Sequence, residues 1–304
     1  MAPGQTPSGA PLAEHVWRRW GLVVGVWTIL WGAPLLVLAK LAFKEDLYSH
    51  ALLIPVVSGY LIWTERHRCP SPNSAAWPWG VALGMLTAVW AALGSPWGGW
   101  SGDERLAFQM LAYVTGILSA SALVLGRSMF AYYAFPLAFL VFLVPLPASV
   151  VHLFETALQH GSADVAEWMF VATGMPSIRD GLVFRLPGLT IEVAQECSGF
   201  RSTLVLFIVS VLAAQMFLLT GWKRALLILS IIPLGLARNA FRIWTLATLS
   251  IEVDPTIMDS ALHHRGGPVF FLLSLIPLNL LLWGLYRSER SRRNSVPIPS
   301  PTAS

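Results

Sequence analysis

The sequence predicts an all-α polytopic membrane protein with about eight transmembrane helices, and with an interfacial helix and a small outer β-hairpin before the sixth span. Three observations lead there. Of 304 residues, 55% are hydrophobic and only 12% charged, and the mean hydropathy is +0.63, well beyond what a soluble domain carries. The 14 tryptophans suit membrane interfaces, where an indole keeps its ring half buried and its N–H wet. Apolar runs near the roughly 20 residues needed to cross a bilayer recur at 21–43, 50–64, 79–97, 106–125, 129–150, 198–220, 222–249 and 268–286. The second of these is the shortest. No basic run is interleaved with aromatics on a polar surface, which argues against nucleic acid as a partner. No internal repeat is visible, which weakens a transporter built from inverted halves.

Residues 1–20 begin "MAPGQTPSGAPLAEH", rich in Pro, Gly, Ser and Ala, and read as a disordered cytoplasmic N-terminus. The run that follows Arg18 and Arg19 is longer than the roughly 7 to 15 apolar residues of a cleavable signal core, so it is read as a retained first helix opening a transmembrane domain over 21–286. Residues 287–304 are basic and Pro-rich and form a cytoplasmic tail. With the N-terminus inside, cytoplasmic segments collect eleven Lys and Arg, from Arg18 to Arg293, and outer loops collect five: Lys44, Arg105, Arg179, Arg185 and Arg265. That bias favours an even number of spans with both termini in the cytoplasm.

This topology puts 151–197 outside. Its first part, "VHLFETALQHGSADVAEWMFVATG", mixes apolar and polar positions at helical spacing and ends at a Gly, as an interfacial helix would. Two short β-rich runs follow, 182–186 and 189–194, around Pro187 and Gly188. Pro-Gly suits the central positions of a type II turn, so a hairpin leads into Cys197.

Cys197 is one of two cysteines and begins the sixth span, with Ser198 as N-cap. A thiol at a helix N-terminus is acidified by the macrodipole and backbone N–H groups, while Glu192 and Glu196 oppose this. A lone Cys in such a place is most often a small buried hydrophobe. The other thiol, Cys69, falls in a cytoplasmic loop, so neither a disulfide nor a metal site is implied. The seventh span carries "PLGLARNAFRIW". Counting from Lys223 and Arg224 at about 1.5 Å per residue, Arg242 lies roughly 27 Å higher, near the outer interface. Arg238, Asn239 and Arg242 share a helix face by their spacing. Charges inside a span snorkel, pair, or face a cavity. Pro233 and Gly235 loosen the helix just below. The third signal is "MDSALHHRGGPVFF": His263 and His264 are adjacent, and Gly266-Gly267 permits close approach of backbone or substrate. A histidine there can serve as acid and base near neutral pH, and Asp259 stands four residues before His263. Thiol, guanidinium and imidazole thus fall on one leaflet, the set needed for a thiolate nucleophile, an oxyanion stabiliser and a proton shuttle.

At these residues the chain resembles the exosortase/archaeosortase family of membrane-embedded cysteine transpeptidases. The resemblance runs through "YSHALLIPVVSGYLIW", "FPLAFLVFLVPLP", "GMPSIRDGLVFRLPGLTIEVAQECSGFRS", "ARNAFRIW" and "HHRGGPVFF", and covers most of the chain from about residue 45 to 275. It implies Cys197 as nucleophile, Arg242 as the active arginine and His263 as the histidine, because Gly267 and Phe271 then keep the family's spacing of four and four. His264 breaks that spacing and is second choice. Arg201, Arg238, Asn239, His264 and Gly267 are candidates for substrate-binding or supporting roles. His50 is an accessory wall.

The resemblance further implies a multi-pass protein of a prokaryotic cytoplasmic (inner) membrane, with its site on the extracytoplasmic face. Its partners would be the lipid bilayer and exported proteins whose C-terminal sorting signal has a Pro-Glu-Pro-like motif, a transmembrane helix and a basic end. No metal or organic cofactor is implied. Two other classes compete. A multi-pass transporter or anion channel would use Arg238 and Arg242 but leaves the thiol and imidazole unexplained. A membrane glycosyl- or acyltransferase would use the charged outer loop but lacks an acidic metal-binding motif.

Overall fold

The computed structural model describes residues 10–66, 68, 70–71, 74, 76, 77–100, 102–193, 199–254, 256 and 267–294, with side chains from 14 to 290 within these ranges. It is mostly helical and divides into two compact units, Met1–Val150 and Val151–Ser304. Among the described residues, five helices are long and apolar enough to cross a membrane, or up to seven if each of two bent pairs is one span.

The first unit contains α1 (Ala10–Leu30), α2 (Gly32–Lys44), α3 (Leu53–Glu65), α4 (Trp77–Leu93), α5 (Gly102–Tyr132) and α6 (Ala134–Phe139). Three of the expected spans take other forms. The expected helix 21–43 bends by 72° between α1 and α2. Pro34 has no N–H to give the Leu30 carbonyl, so the ladder stops there. The expected span 79–97 is α4, a helix of 17 residues closed by Gly94. The expected span 129–150 is divided, because Pro145 and Pro147 end the helical stretch Ala134–Leu143 before a new helix begins at Ala148. By contrast, the expected 50–64 is a span of 20 residues, Asp46–Glu65, whose first turns are 3-10.

Small and hydroxylated residues join these helices, as is usual where lipid removes any hydrophobic drive for association. Gly80 lies under Leu123, Ser119 Oγ donates to the Gly80 carbonyl at 2.8 Å, and Thr87 meets Thr115 at 3.0 Å, which locks α4 to α5. Trp27 packs over Gly116 and donates its indole N–H to the Tyr113 carbonyl at 3.0 Å, which ties α1 to α5. Large apolar side chains such as Leu22, Ile29 and Phe43 point outward, the reverse of a soluble protein and what a lipid solvent permits.

The second unit holds α7 (Ala148–Ala172), β1 (Ile178–Asp180), β2 (Val183–Leu186), β3 (Leu189–Glu192), α8 (Phe200–Phe217), α9 (Gly221–Leu229), α10 (Ile231–Glu252) and α11 (Gly267–Asn294). A helix forms where one was expected over 151–174; it is α7, and with Ala134–Leu143 it makes a pair bent by 91°. The expected hairpin is β2–β3, with Leu186 opposite Leu189, and Gly188 at φ +74° supplies the left-handed position of a type II turn. A third strand was not anticipated: β1 pairs antiparallel with β2 through the two-residue turn Gly181-Leu182, where Gly181 has φ +63°. A Gly at the first central position marks a type II′ hairpin.

The sheet packs on α7 and α10 through Phe170, Phe184 and Val193, which are almost wholly buried, with Ala163, Ala166, Ala240 and Ala247 between them. These alanines let the helix backbones approach the sheet. A second core of Leu206, Leu218, Leu227, Ile231 and Leu278 joins α8, α9, α10 and α11. Lys223, counted among the cytoplasmic cations at the start of the seventh expected span, is buried. It donates to Ser288 Oγ at 2.7 Å and lies 3.9 Å from Glu289, whose carboxylate accepts the Leu219 and Thr220 amides at 3.0 and 2.9 Å.

Among the described residues, Arg179 ties the sheet to α7. Arg179 Nη1 lies 2.8 Å from both Asp164 Oδ1 and Glu167 Oε2 of α7, its Nε donates to the Gly181 carbonyl, and its guanidinium stands over the Phe184 ring. Burial pulls the Arg179 pKa down, but the hydrogen bonds and charges of Glu167 and Asp164 outweigh it, so the guanidinium is held above its ordinary value. Both carboxylates are largely solvated, so each pair is worth about 0.2–1 kcal/mol. Arg179→Met should lower stability by roughly 1 kcal/mol, read as a lower thermal midpoint in detergent that converges with wild type at high salt; a midpoint independent of salt would mean that the anchor is apolar.

Candidate functional site

The strand β3 and the helix α8 flank residues 194–198, and the chain is fixed on both sides of that segment. At Val193 the backbone N–H donates to the Leu182 carbonyl at 3.0 Å, and its carbonyl accepts from the Gln159 side chain of α7. At Gly199 the carbonyl accepts from the Thr203 amide at 3.0 Å, the Thr203 hydroxyl at 2.9 Å, the Ser202 hydroxyl at 3.1 Å and Arg238 Nη2 at 2.9 Å. Phe200 stacks on Phe154 of α7, ring centroids 6.0 Å apart. Cys197, Glu196 and Ser198 themselves lie outside the described residues, as do Cys69, Asp259, His263 and His264.

The start of α8 departs from expectation. The N-cap is Gly199, not Ser198, and the first helical residue is Phe200. Gly199 has φ +73°, a conformation L side chains avoid. A Cβ there would also lie 2.7 Å from Arg238 Nη2 and 3.3 Å from Asn239 Oδ1. Both facts demand glycine. The helix therefore begins where α10 can press directly on backbone.

Arg238 and Asn239 are the α10 residues that meet this point. They are 7% and 2% exposed, deep for polar side chains. Besides Gly199, Arg238 Nη2 reaches Thr203 Oγ1 at 3.1 Å. Arg238 Nη1 and Asn239 Nδ2 are buried and have no hydrogen-bond partner among the described residues. Arg242, expected as the principal arginine, stands one turn along the same helix, half-buried and engaged in an interaction of its own. Arg201 is exposed in the first turn of α8 and is likewise engaged.

Gly267 begins α11, and a Cβ there would meet nothing within 4 Å among the described residues. Gly235 does not loosen α10. Its missing side chain makes room for Thr203, whose Oγ1 would lie 2.8 Å from a Cβ. The helix break is at Ser230, just before Pro233 in the first turn of α10. His50, the expected accessory wall, belongs to the first unit, in the 3-10 turns before α3, with Nδ1 buried and unpaired among the described residues. Sequence reasoning missed Gly199 and Thr203. Their signal was the Gly of Cys-Ser-Gly with a hydroxyl four residues on, the spacing of one helical turn.

The model of the transmembrane exosortase family (Exosortase_EpsH) matches residues 31–280. The chain belongs to this family. It is accordingly a multi-pass membrane protein, and the match spans both compact units. No curated protein and no solved structure matches it significantly. Within an exosortase chain, the Gly199–Arg238–Asn239 contact has a direct test in stability. Gly199→Ala should cost about 2 kcal/mol or more, from a left-handed backbone and a displaced guanidinium, seen as a lower thermal midpoint in detergent. Gly267→Ala, with open space and no positive φ, should leave that midpoint within the roughly 0.5 kcal/mol expected of surface changes.

Proposed function

We propose that the protein is a cysteine peptidase or transpeptidase that processes the C-terminal sorting signal of exported proteins on the extracytoplasmic face of a prokaryotic cytoplasmic membrane. The observation that carries this reading is the family match over 31–280, which spans all three candidate elements: Cys-Ser-Gly, Asn-x-x-Arg and His-x-x-x-Gly. The anchoring of the chain at Val193 and Gly199, on either side of the segment that holds Cys197, supports it. A nucleophile needs a fixed backbone if attack geometry is to be reproducible. The reading keeps an even number of spans, which puts both termini in the cytoplasm.

In this reading the Cys197 thiolate attacks the carbonyl carbon of the scissile peptide, and the electron pair of the C=O bond moves onto oxygen. Arg242 faces that oxyanion or orients the scissile segment. Collapse of the tetrahedral intermediate expels the amine, which takes a proton from His263, and leaves a thioester on Cys197. His263, now neutral, removes a proton from water or an acceptor amine as it attacks the thioester, and the thiolate is released. The substrate's own helix holds it against the enzyme in the bilayer, and its Pro-Glu-Pro-like motif lies at the surface.

Co-expression with a tagged protein bearing such a signal, followed by immunoblot of precursor and product, tests the assignments. Cys197→Ala should abolish processing; unchanged processing would refute the nucleophile. His263→Ala should slow it by roughly 10²- to 10⁴-fold, the usual worth of general acid–base catalysis, and His264→Ala by less than about tenfold. Equal loss in the two would remove the preference for His263. Arg242→Lys keeps charge but loses the fork, so full activity in that variant would exclude a bidentate role.

A further inference from the structure

Between α1 and α5 of the first unit runs an apolar groove of about 320 Å³, lined by Leu22, Val26, Trp27 and Leu30 of α1 and by Gly116 and Ala120 of α5. Leu22, Val26 and Leu30 recur every four residues and are 68%, 57% and 71% exposed. Gly116 and Ala120 set the floor, and the Trp27 indole lies where a Cβ on Gly116 would stand. From Leu22 to Leu30 the groove follows about 12 Å of helix, most of the roughly 15 Å depth of one hydrocarbon leaflet.

Two arginines stand at one mouth of this groove. Arg19 precedes Leu22, Val23 and Val26 by three, four and seven residues, and Arg18 precedes Leu22 by four, so both top the apolar stripe. Both are exposed, and neither is in an ion pair among the described residues. Glu14, one turn further out on α1, does not pair with Arg18 there. Residues 1–9, 67, 69, 72, 73, 75 and 101, the rest of this unit, include no Asp or Glu. Aromatic rings mark the same level: Trp17 meets Trp20 and Tyr133 edge-on at 5.5 and 5.4 Å, and Trp20 donates its indole N–H to Ser121 Oγ at 2.9 Å. Such a belt is characteristic of the headgroup layer. Arg68 and Arg127 are exposed at this end too, while the Glu65 carboxylate accepts the Tyr132 hydroxyl at 2.8 Å.

We propose that the groove is a binding site for an anionic phospholipid, with one acyl chain laid along Leu22–Leu30 and the phosphate on Arg18 and Arg19. The site does not depend on the reaction proposed above. Charge selects the occupant. A second copy packed in parallel along α1 would set its own Arg18 and Arg19 against this pair. A substrate helix in the topology read above would bring its basic end to the same arginines. A zwitterionic lipid fills the groove but carries a cation to its mouth. A phosphodiester with no cation suits both parts, because guanidinium forks match phosphate oxygens and basic pockets between membrane helices hold anionic headgroups.

Native mass spectrometry of the full-length protein in mild detergent, titrated with phosphatidylglycerol or with phosphatidylcholine of the same chains, reads the affinity of the first lipid bound. Wild type should take phosphatidylglycerol about 25-fold more tightly, at about fivefold for each arginine beside the phosphate. A chain with both Arg18→Gln and Arg19→Gln should lose that preference and keep its affinity for phosphatidylcholine. Ala120→Leu, which raises the floor of the groove, should weaken both lipids and leave their ratio unchanged. Both arginines are exposed, so their replacement should leave folding intact. Equal affinity of wild type for the two headgroups, a preference that persists without the arginines, or binding untouched by Ala120→Leu would each overturn the site. So would a dimer that Ala120→Leu dissociates, or displacement of phosphatidylglycerol by a peptide carrying a sorting-signal helix.

Discussion

The contact between the Arg238 guanidinium and the Gly199 carbonyl is the constraint on which the second unit depends. A guanidinium at 7% exposure must hydrogen-bond to something, and here it takes a backbone carbonyl at 2.9 Å in place of a carboxylate. That choice propagates. It requires a residue without Cβ at 199, sets the start of α8 at Phe200, brings Thr203 under the same guanidinium, and needs a glycine at 235 to receive Thr203. Four positions, at 199, 200, 203 and 235, thus answer to one charge. Losing the charge would leave the helices free to slide, because apolar packing in lipid has little directional preference of its own.

The two buried cations of this unit show how differently a membrane protein can treat the same problem. Lys223 is neutralised by Glu289, and that carboxylate also accepts the two amides left open at the turn between α8 and α9. Every strong donor there has an acceptor, and the group reads as a structural clasp. Arg238 Nη1 and Asn239 Nδ2, by contrast, have no hydrogen-bond partner among the described residues. Evolved interiors rarely leave buried donors unmade.

Much of this was legible in the residues. Hydropathy located nearly every helical segment, because a length near that of the bilayer core is a strong physical requirement. Pro187-Gly188 fixed a turn, and the spacing of Arg238, Asn239 and Arg242 gave their shared helix. What escaped was local backbone chemistry. Pro34, Pro145 and Pro147 divide helices that hydropathy alone runs together. Gly181 makes a second hairpin turn in a stretch too short to show alternation. Ser198 is a good N-cap by composition, yet Gly199 holds the position because α10 presses on it, a tertiary demand with no trace in local propensity. Burial likewise separated the two arginines: spacing put Arg238 and Arg242 on one face, and only packing showed that the former meets the backbone of α8.

The anchors around residues 194–198 act through main-chain atoms: the Val193 amide and carbonyl, and the Gly199 carbonyl. None of those bonds uses a side chain of the segment itself. The two ends of the segment are thus held by main-chain bonds at Val193 and Gly199. Here the small-residue contacts are made by Gly199, Ala240 and Gly235. Loss of stability on changing Gly199 therefore reports the frame that holds the C-terminal end of that segment, a readout separate from the processing assay for Cys197.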